Sequence, residues 1–434
     1  MKARIWLTSI LAVNVVMAGV SGRQPAPFKP DWLDDPLYRA CDSLVSWWPA
    51  DGHHFDLAGA YHGERSGPVG FDKGCRGAAF SFPQEQGTVT VGQPAGLTDT
   101  FTLAVWVYAT APRLPTPPHV DRYAGTQGQR YAVYPTHGGT DGRRAGCGIS
   151  VGTNGVGVFE HTHDNLPCVL VHDTPIKDWT HLAVVYEKGQ PTLYVNGTAV
   201  KTGVRSPWTV FPGHSFGDPG APTNSYGPYR GRTDEPMLFG RALDEGEIKA
   251  ILRAAQPDKV PGAGRKPLPL SDAAFAELWS YLSGERAPRV LFAVQRLAAS
   301  GDDAVRRLRT SLMTRVDAGG LKVEELIRRL DDDRFRERER AMQLLLQTGE
   351  SVVPKLQAKL KDNPSAEARE RIELLLRRLP KASSSPEQMR AVRAVTALAW
   401  IDTSASRKLL AELAEGPEET PKTIAARAAL QQHK

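Results

Sequence analysis

The chain has 434 residues, too many for one compact domain, and its 41% hydrophobic and 24% charged residues are ordinary for globular protein with a sizeable core. A formal net charge of +6 is small over this length, which argues against a dense basic surface for nucleic acid and for a mixed, solvated one. At the N-terminus Lys2 and Arg4 precede the apolar run "IWLTSILAVNVVMA", which ends in small residues. This is the pattern of a secretory signal peptide. The run is shorter than the roughly 20 residues a helix needs to span a bilayer. Residues 1–22 are therefore expected to be a signal peptide cleaved after Ala18 or Gly22, and residues 23–39 an unstructured leader. The mature protein is expected to be secreted, periplasmic or on the cell surface, with no membrane span.

The four cysteines, Cys41, Cys75, Cys147 and Cys168, all lie in the first half. An even count in an exported chain predicts two disulfides, with three possible connectivities. Cys41–Cys75 is favoured because the two lie on neighbouring early segments, and Cys147–Cys168 follows by default. If the strands carrying the second pair form a simple meander, they lie about 9–10 Å apart across the middle strand. A disulfide needs Cα atoms within roughly 7 Å, so that bond would close only at a bent end.

Residues 40–255 are rich in Gly, Thr, Val and aromatics, in short runs such as "LVSWWPA", "FTLAVWVYA", "GVGVFEH" and "HLAVVYE" separated by turn signals. Ten or more such runs, with no helical period between them, predict an antiparallel β-sandwich or barrel. In "HLAVVYE", Leu182, Val184 and Tyr186 share one face and His181, Ala183 and Val185 the other; both are largely apolar, as for a central strand covered on both sides. "TNG" and "VNG" supply turns that tolerate positive φ.

Residues 256–272, with four prolines, read as a linker. From 273 to 434 apolar residues recur at three- and four-residue steps, which predicts an all-α region. The stretch Ala293–Leu312 aligns with Ala341–Leu360 at an offset of 48, and Ala394–Leu413 follows at an offset of 53. Helix pairs at this period predict HEAT-like repeats stacked as a solenoid.

Five segments of the β half, in order, resemble the LamG-like jelly-roll domain of the concanavalin A-like sandwiches. They are "LVSWWPADG" with "FDLAGAYHG", "GCRGAAFSF", "FTLAVWVY", "WTHLAVVYEKGQPTLYVNG" and "YRGRTDEPMLFGRALDEGEI". The resemblance implies a jelly roll that binds a glycan or an extracellular protein, or serves as a spacer beside other modules. Arg232 and Pro236 stand where the family has apolar residues, which predicts a last strand that begins late or sits at an edge.

No constellation points to catalysis. Glucanases of this superfamily use carboxylates at alternate positions of one strand, so that both reach one sugar, and that spacing is absent. The acidic run "DDDRFRERER" alternates with arginines on a helix and reads as a self-paired, solvated face. His161 and His163 would share a strand face, but no third zinc ligand has motif spacing. Calcium suits loop carboxylates better. Asp56, in the Asp-x-x-Gly loop, and Asp234 would meet if the terminal strands pair. Among the tryptophans, Trp106 and Trp179 read as core, and Trp208, in a loop, is the candidate ligand contact. Asn196-Gly197-Thr198 fits a glycosylation acceptor but is explained by its hairpin turn. The expectation is a non-catalytic, exported recognition protein without nucleic-acid partners; the alternatives are a spacer in a structural assembly and, less favoured, a glycoside hydrolase.

Overall fold

The computed structural model describes residues 36–83, 87–118, 128–140, 142–217, 228–254, 267–284, 286–313, 323–348, 352–378, 386–416 and 420–431. The expected signal peptide, most of the leader and most of the proline-rich linker lie outside the described residues.

After a short helix, α1 (Pro36–Cys41), come β1 (Leu44–Trp47), β2 (Glu64–Ser66), β3 (Gly70–Lys73), β4 (Ala78–Phe82), β5 (Thr88–Thr90), β6 (Phe101–Ala109), β7 (Tyr131–Val133) and β8 (Arg144–Gly152). There follow β9 (Gly155–His161), β10 (Cys168–Asp173), β11 (Thr180–Glu187), β12 (Gln190–Val195), β13 (Thr198–Thr202), β14 (Thr209–Pro212), β15 (Ser215–Gly217), β16 (Gly231–Phe239) and helix α2 (Glu245–Ala254). The strands form two sheets. In one the order is β13-β12-β11-β6-β16-β4-β3, with β1 paired to β16; in the other it is β10-β9-β8-β7-β15-β5-β2, with β14 paired to β8. This is the expected antiparallel sandwich, apart from the parallel β14–β8 pair.

Alternation along the strands sets which residues fill the space between the sheets. Phe101, Leu103, Val105 and Val107 of β6 and Leu182, Val184 and Tyr186 of β11 all join the inter-sheet core. The opposite face of the same strands is also covered, because Ala104, Ala183 and Val185 belong to a second cluster shared with helices. β11 sits between β6 and β12, as its two apolar faces predict. The turn from β12 to β13 is made by Asn196 at φ 48° and Gly197 at φ 81°, the left-handed geometry that this dipeptide supplies at low cost.

The last strand corrects one expectation. β16 begins at Gly231 and runs between β6 and β4, away from the sheet edge. Pro236 fits there because a bulge between Asp234 and Met237 interrupts the register, with Glu235 at φ 50°. The proline carbonyl still accepts a bond from the Trp48 amide, at 2.9 Å.

The remaining helices are α3 (Asp272–Tyr281), α4 (Ala287–Ala298), α5 (Asp302–Met313), α6 (Val323–Arg329), α7 (Phe335–Thr348), α8 (Val353–Lys361), α9 (Ala366–Arg378), α10 (Pro386–Ile401), α11 (Ser404–Ala414) and α12 (Pro421–Gln431). The three aligned sequence stretches fall on the pairs α4–α5, α7–α8 and α10–α11. Their packing does not follow chain order, as a solenoid's would. The first pair packs on the third, α4 on α10 and α5 on α11, whereas α7 and α8 pack with α6 and α9 around a core of their own.

Sandwich and helices share one cluster. Trp47, Phe55, Leu57, Phe239 and Leu243 are buried with Leu291, Val294, Val392, Leu398 and Trp400. Arg393 of α10 is buried in this seam, its Nε donating to the Leu57 carbonyl at 2.9 Å and its Nη1 to those of Leu282 and Gly284 at 2.7 and 3.0 Å. At the same seam a Cβ on Gly52, which has φ 75°, would lie 2.4 Å from Ala428 Cβ.

Candidate functional site

The two acids put forward for calcium, Asp56 and Asp234, are both buried and accept hydrogen bonds from the chain itself. Asp56 is fully buried and accepts from the amides of Trp47, Ala58 and Gly59 at one oxygen and of Tyr61 at the other. Burial raises its carboxyl above the usual range, and the amides of Gly59, Trp47 and Tyr61 offset only part of that rise. Asp234, also fully buried, accepts from Cys75 Sγ and the Arg76 amide at 3.1 Å and from the Glu235 amide at 2.9 Å. Burial and the neighbouring Glu235 carboxylate drive Asp234 well above its ordinary value. The terminal strands do pair, β1 with β16, yet each acid keeps its own set of donors, and Trp47 of β1 links Asp56 to Glu235, the chain neighbour of Asp234. The Trp47 backbone amide serves Asp56, and its indole Nε1 donates to Glu235. Among the described residues, no three His, Cys, Asp or Glu side chains are placed to hold a metal ion.

The disulfide expectation is corrected: all four cysteines are described, all are buried, and no disulfide joins them. Cys147 and Cys168 flank β9 from opposite sides, opposite Glu160 and Phe159 respectively. One faces the inter-sheet core and the other a separate cluster with Tyr131, Phe159 and Leu166. Cys41 lies in the cluster shared with the helices, while Cys75 packs on Trp106. Burial raises the thiols of Cys75, Cys147 and Cys168, the last to about 12, which keeps these three protonated and unreactive at neutral pH.

Trp208 is half-buried on the loop before β14. Its amide donates to Ser206 Oγ at 3.2 Å, and Ser206 Oγ donates to Glu160 Oε2 at 2.6 Å. Glu160 also accepts from the Tyr186 hydroxyl at 2.9 Å. Burial raises this carboxyl to about 7. The loop carrying Trp208 is thus fastened to β9 and β11 by a buried carboxyl.

His161 lies beside a histidine that sequence spacing could not supply: the His137 ring is centred 5.0 Å from His161 and 5.6 Å from His163. His161 Nδ1 bonds the Pro135 carbonyl, and His163 Nδ1 bonds Asp164.

A different grouping emerges on the outer face of the first sheet. The helices cover the part of that face around Ala104, Ala183 and Phe239. One step further along β6, and on the loop before β11, Tyr108 and Trp179 are half-buried, with ring centroids 5.7 Å apart. Arg232 of β16 pairs with Tyr108 across the ladder, so its side chain lies on the same face. Its guanidinium carbon sits 4.3 Å from the Tyr108 centroid and 5.4 Å from that of Trp179. Nη1 donates to the Lys73 carbonyl at 2.6 Å and lies 3.8 Å from the Asp72 carboxylate. Stacking of this kind contributes about 0.5–2 kcal/mol and holds both rings in place. An aromatic pair with an adjacent guanidinium and an exposed carboxylate offers what a sugar ring needs: apolar faces for its C–H groups and polar partners for its oxygens. Sequence reasoning placed Trp179 in the core, passed over Tyr108, and took Arg232 only as a mark of a late or edge strand. The available signal was that Tyr108 and Arg232 occupy outward positions of strands whose inward positions are apolar.

Residues 83–249 match the family model Laminin_G_3, described as the concanavalin A-like lectin/glucanases superfamily. Among solved structures, domain 4 of AbnA, a GH43 extracellular arabinanase from Geobacillus stearothermophilus, in complex with arabinotriose, is 18% identical; the match covers 48% of this chain and 98% of that one, with a TM-score of 0.36. The binding domain of Paraclostridial Mosquitocidal Protein 1 is 16% identical over 50% of this chain and 53% of that one, with a TM-score of 0.37. The binding domain of Botulinum Neurotoxin DC in complex with SialylT is 14% identical over 50% and 52%, with a TM-score of 0.36. The chain spans about half the length of these two toxin structures. A search of curated proteins finds no match. No described helix is long and apolar enough to cross a membrane.

Proposed function

We propose that the protein is exported and non-catalytic, and that its sandwich binds a glycan through the Tyr108–Trp179–Arg232 patch while the helical region serves as a scaffold. The observation that carries this reading is an aromatic pair that, among the described residues, stays half-buried on a sheet face whose other half is buried under helices. The non-catalytic part is supported by the buried acids: Asp56, Asp234, Glu235 and Glu160 are each engaged by donors of the chain itself. The core shared with the helices favours a second reading, in which the sandwich is a rigid spacer in an assembly.

A glycan array separates the two. Full-length mature protein is expected to bind a restricted set of sugars, and Trp179→Ala is expected to lose at least tenfold in affinity, since aromatic stacking contributes on the order of 1 kcal/mol or more beyond burial. Binding of no glycan at all, or capture undiminished in Trp179→Ala and Tyr108→Ala, would favour the spacer.

A further inference from the structure

The orientation of Arg232 carries the reading of that patch one step further, to the chemical class of the sugar, and the step rests on the glycan-binding proposal. A guanidinium presents five N–H donors in a rigid planar fork. In Arg232 one terminal nitrogen, Nη1, is spent on the Lys73 carbonyl and faces Asp72. The plane is fixed by the Tyr108 and Trp179 rings. The side chain is 20% exposed, and among the described residues no hydrogen-bond partner meets Nε or Nη2. Those two nitrogens form the edge whose parallel N–H groups match the two oxygens of a carboxylate.

Asp72 does not fill this role. At 3.8 Å from Nη1, and with its side chain 60% exposed, it makes a weak, water-screened pair on the other side of the fork. A ligand carboxylate at the Nε/Nη2 edge would gain two charge-assisted bonds at a group already immobilised, so little side-chain freedom is lost on binding. The rings beside it would take the apolar face of the same sugar.

We propose that the patch recognises an acidic saccharide, a hexuronic acid residue whose carboxylate pairs with the Nε/Nη2 edge of Arg232 while its ring packs on Trp179 and Tyr108. An acidic peptide would offer the carboxylate but not the pyranose face, so the saccharide is the favoured occupant.

The test uses the full mature chain and oligomers of galacturonate, guluronate and glucuronate, each beside its carboxyl-reduced, neutral counterpart, with poly-glutamate as the peptide control, by isothermal titration. At least one uronate is expected to bind at least tenfold more tightly than its reduced form, with affinity falling as salt rises. Arg232→Lys keeps the charge but loses the fork and is expected to weaken uronate binding about tenfold and binding of the carboxyl-reduced sugar by less, so that the gap between the two narrows. Circular dichroism of the variant checks that the sheet is intact, and Arg232→Met provides a second variant that keeps the packing on the rings. Equal binding of reduced and acidic forms, or no effect of either substitution, overturns the carboxylate assignment and leaves the glycan patch standing. Failure to bind any uronate overturns it too, and if neutral sugars are then captured through Trp179 the broader proposal survives. Binding of poly-glutamate in preference to every uronate overturns the ligand class.

Discussion

Trp47 of the opening strand and Trp400 of α10 meet with ring centroids 6.0 Å apart, and Arg76, from the loop before β4, lies over the Trp400 ring at 3.5 Å. One indole belongs to the sandwich and the other to the last helical pair, more than 350 residues away along the chain. The contact ties the two regions into one core. Trp400→Ala would leave a large void beside Trp47 and strip Arg76 of its aromatic partner, a loss of about 3–5 kcal/mol. Calorimetry of the intact chain is expected to show the sandwich and the α10 region melting together, with both shifted down in Trp400→Ala. A fragment ending at 254 would expose Trp47, Phe55, Leu57 and Phe239 and should bind a hydrophobic dye; two well-separated transitions in the intact chain would show that the seam is energetically idle.

Arg393 makes a second tie, of different chemistry. Its three carbonyl acceptors come from the sandwich loop and from the chain between α3 and α4. Burial lowers its guanidinium to about 10, against the pull of nearby Asp56, so it stays charged at neutral pH. Arg393→Met would leave buried carbonyls without donors, at about 1–3 kcal/mol each where water cannot reach them. Arg393→Lys restores charge but not the fork, and one ammonium cannot serve Leu57 and Leu282 with the same geometry. Urea unfolding should therefore rank wild type above Lys and Lys above Met. A Lys variant as stable as wild type would reduce the role of Arg393 to its charge alone.

Strand periodicity made the sandwich legible, because a period of two names the inward residues directly; the faces assigned to β11 and the turn at Asn196-Gly197 follow from the sequence alone. What escaped depends on contacts between distant segments. Arg232 and Pro236 looked like marks of an edge, since local reasoning cannot see a bulge that admits a proline into a central strand. Cys41 and Cys75 looked like partners by nearness, but one faces the helices and the other Trp106. Helical period and repeat spacing were both readable, but not the order of stacking, because Leu308, Leu356 and Leu409 occupy equivalent places whichever pair they face. Tyr108 and Trp179 were hidden for the opposite reason: aromatic residues on or beside central strands are usually core, and only the extent of helical cover reveals which ones stay half-exposed.

The buried Glu160 carboxyl gives the fold a pH dependence whose sign can be worked out. Its ordinary value is 4.5 and burial raises it to about 7. Below 4.5 it is protonated whether the chain is folded or not, and its raised value then has no effect. Between 4.5 and 7 the unfolded chain ionises while the folded chain holds its proton, so stability falls as pH rises and levels off above 7. The span corresponds to a loss on the order of 3 kcal/mol at one pKa unit per 1.36 kcal/mol. Asp56, Asp234 and Glu235 are raised too and act in the same direction. His53, His54, His62 and His181 are lowered by burial, to about 3 or 4, and act in the opposite direction, because stability is lost as pH falls below 6.5. The total curve mixes these contributions, so the Glu160 part is read as a difference. Glu160→Gln keeps the shape and hydrogen-bonding capacity towards Tyr186 and Ser206 without a titratable proton. Its stability should match wild type near pH 4.5 and exceed it by a margin that grows until pH 7 and then stays constant. The Trp208 loop, fastened through Ser206, should loosen in wild type over the same interval, as a rise in hydrogen exchange at residues 203–208 that Glu160→Gln does not show. Parallel stability curves for the two proteins from pH 4.5 to 8 would mean that Glu160 is ionised in the folded state throughout.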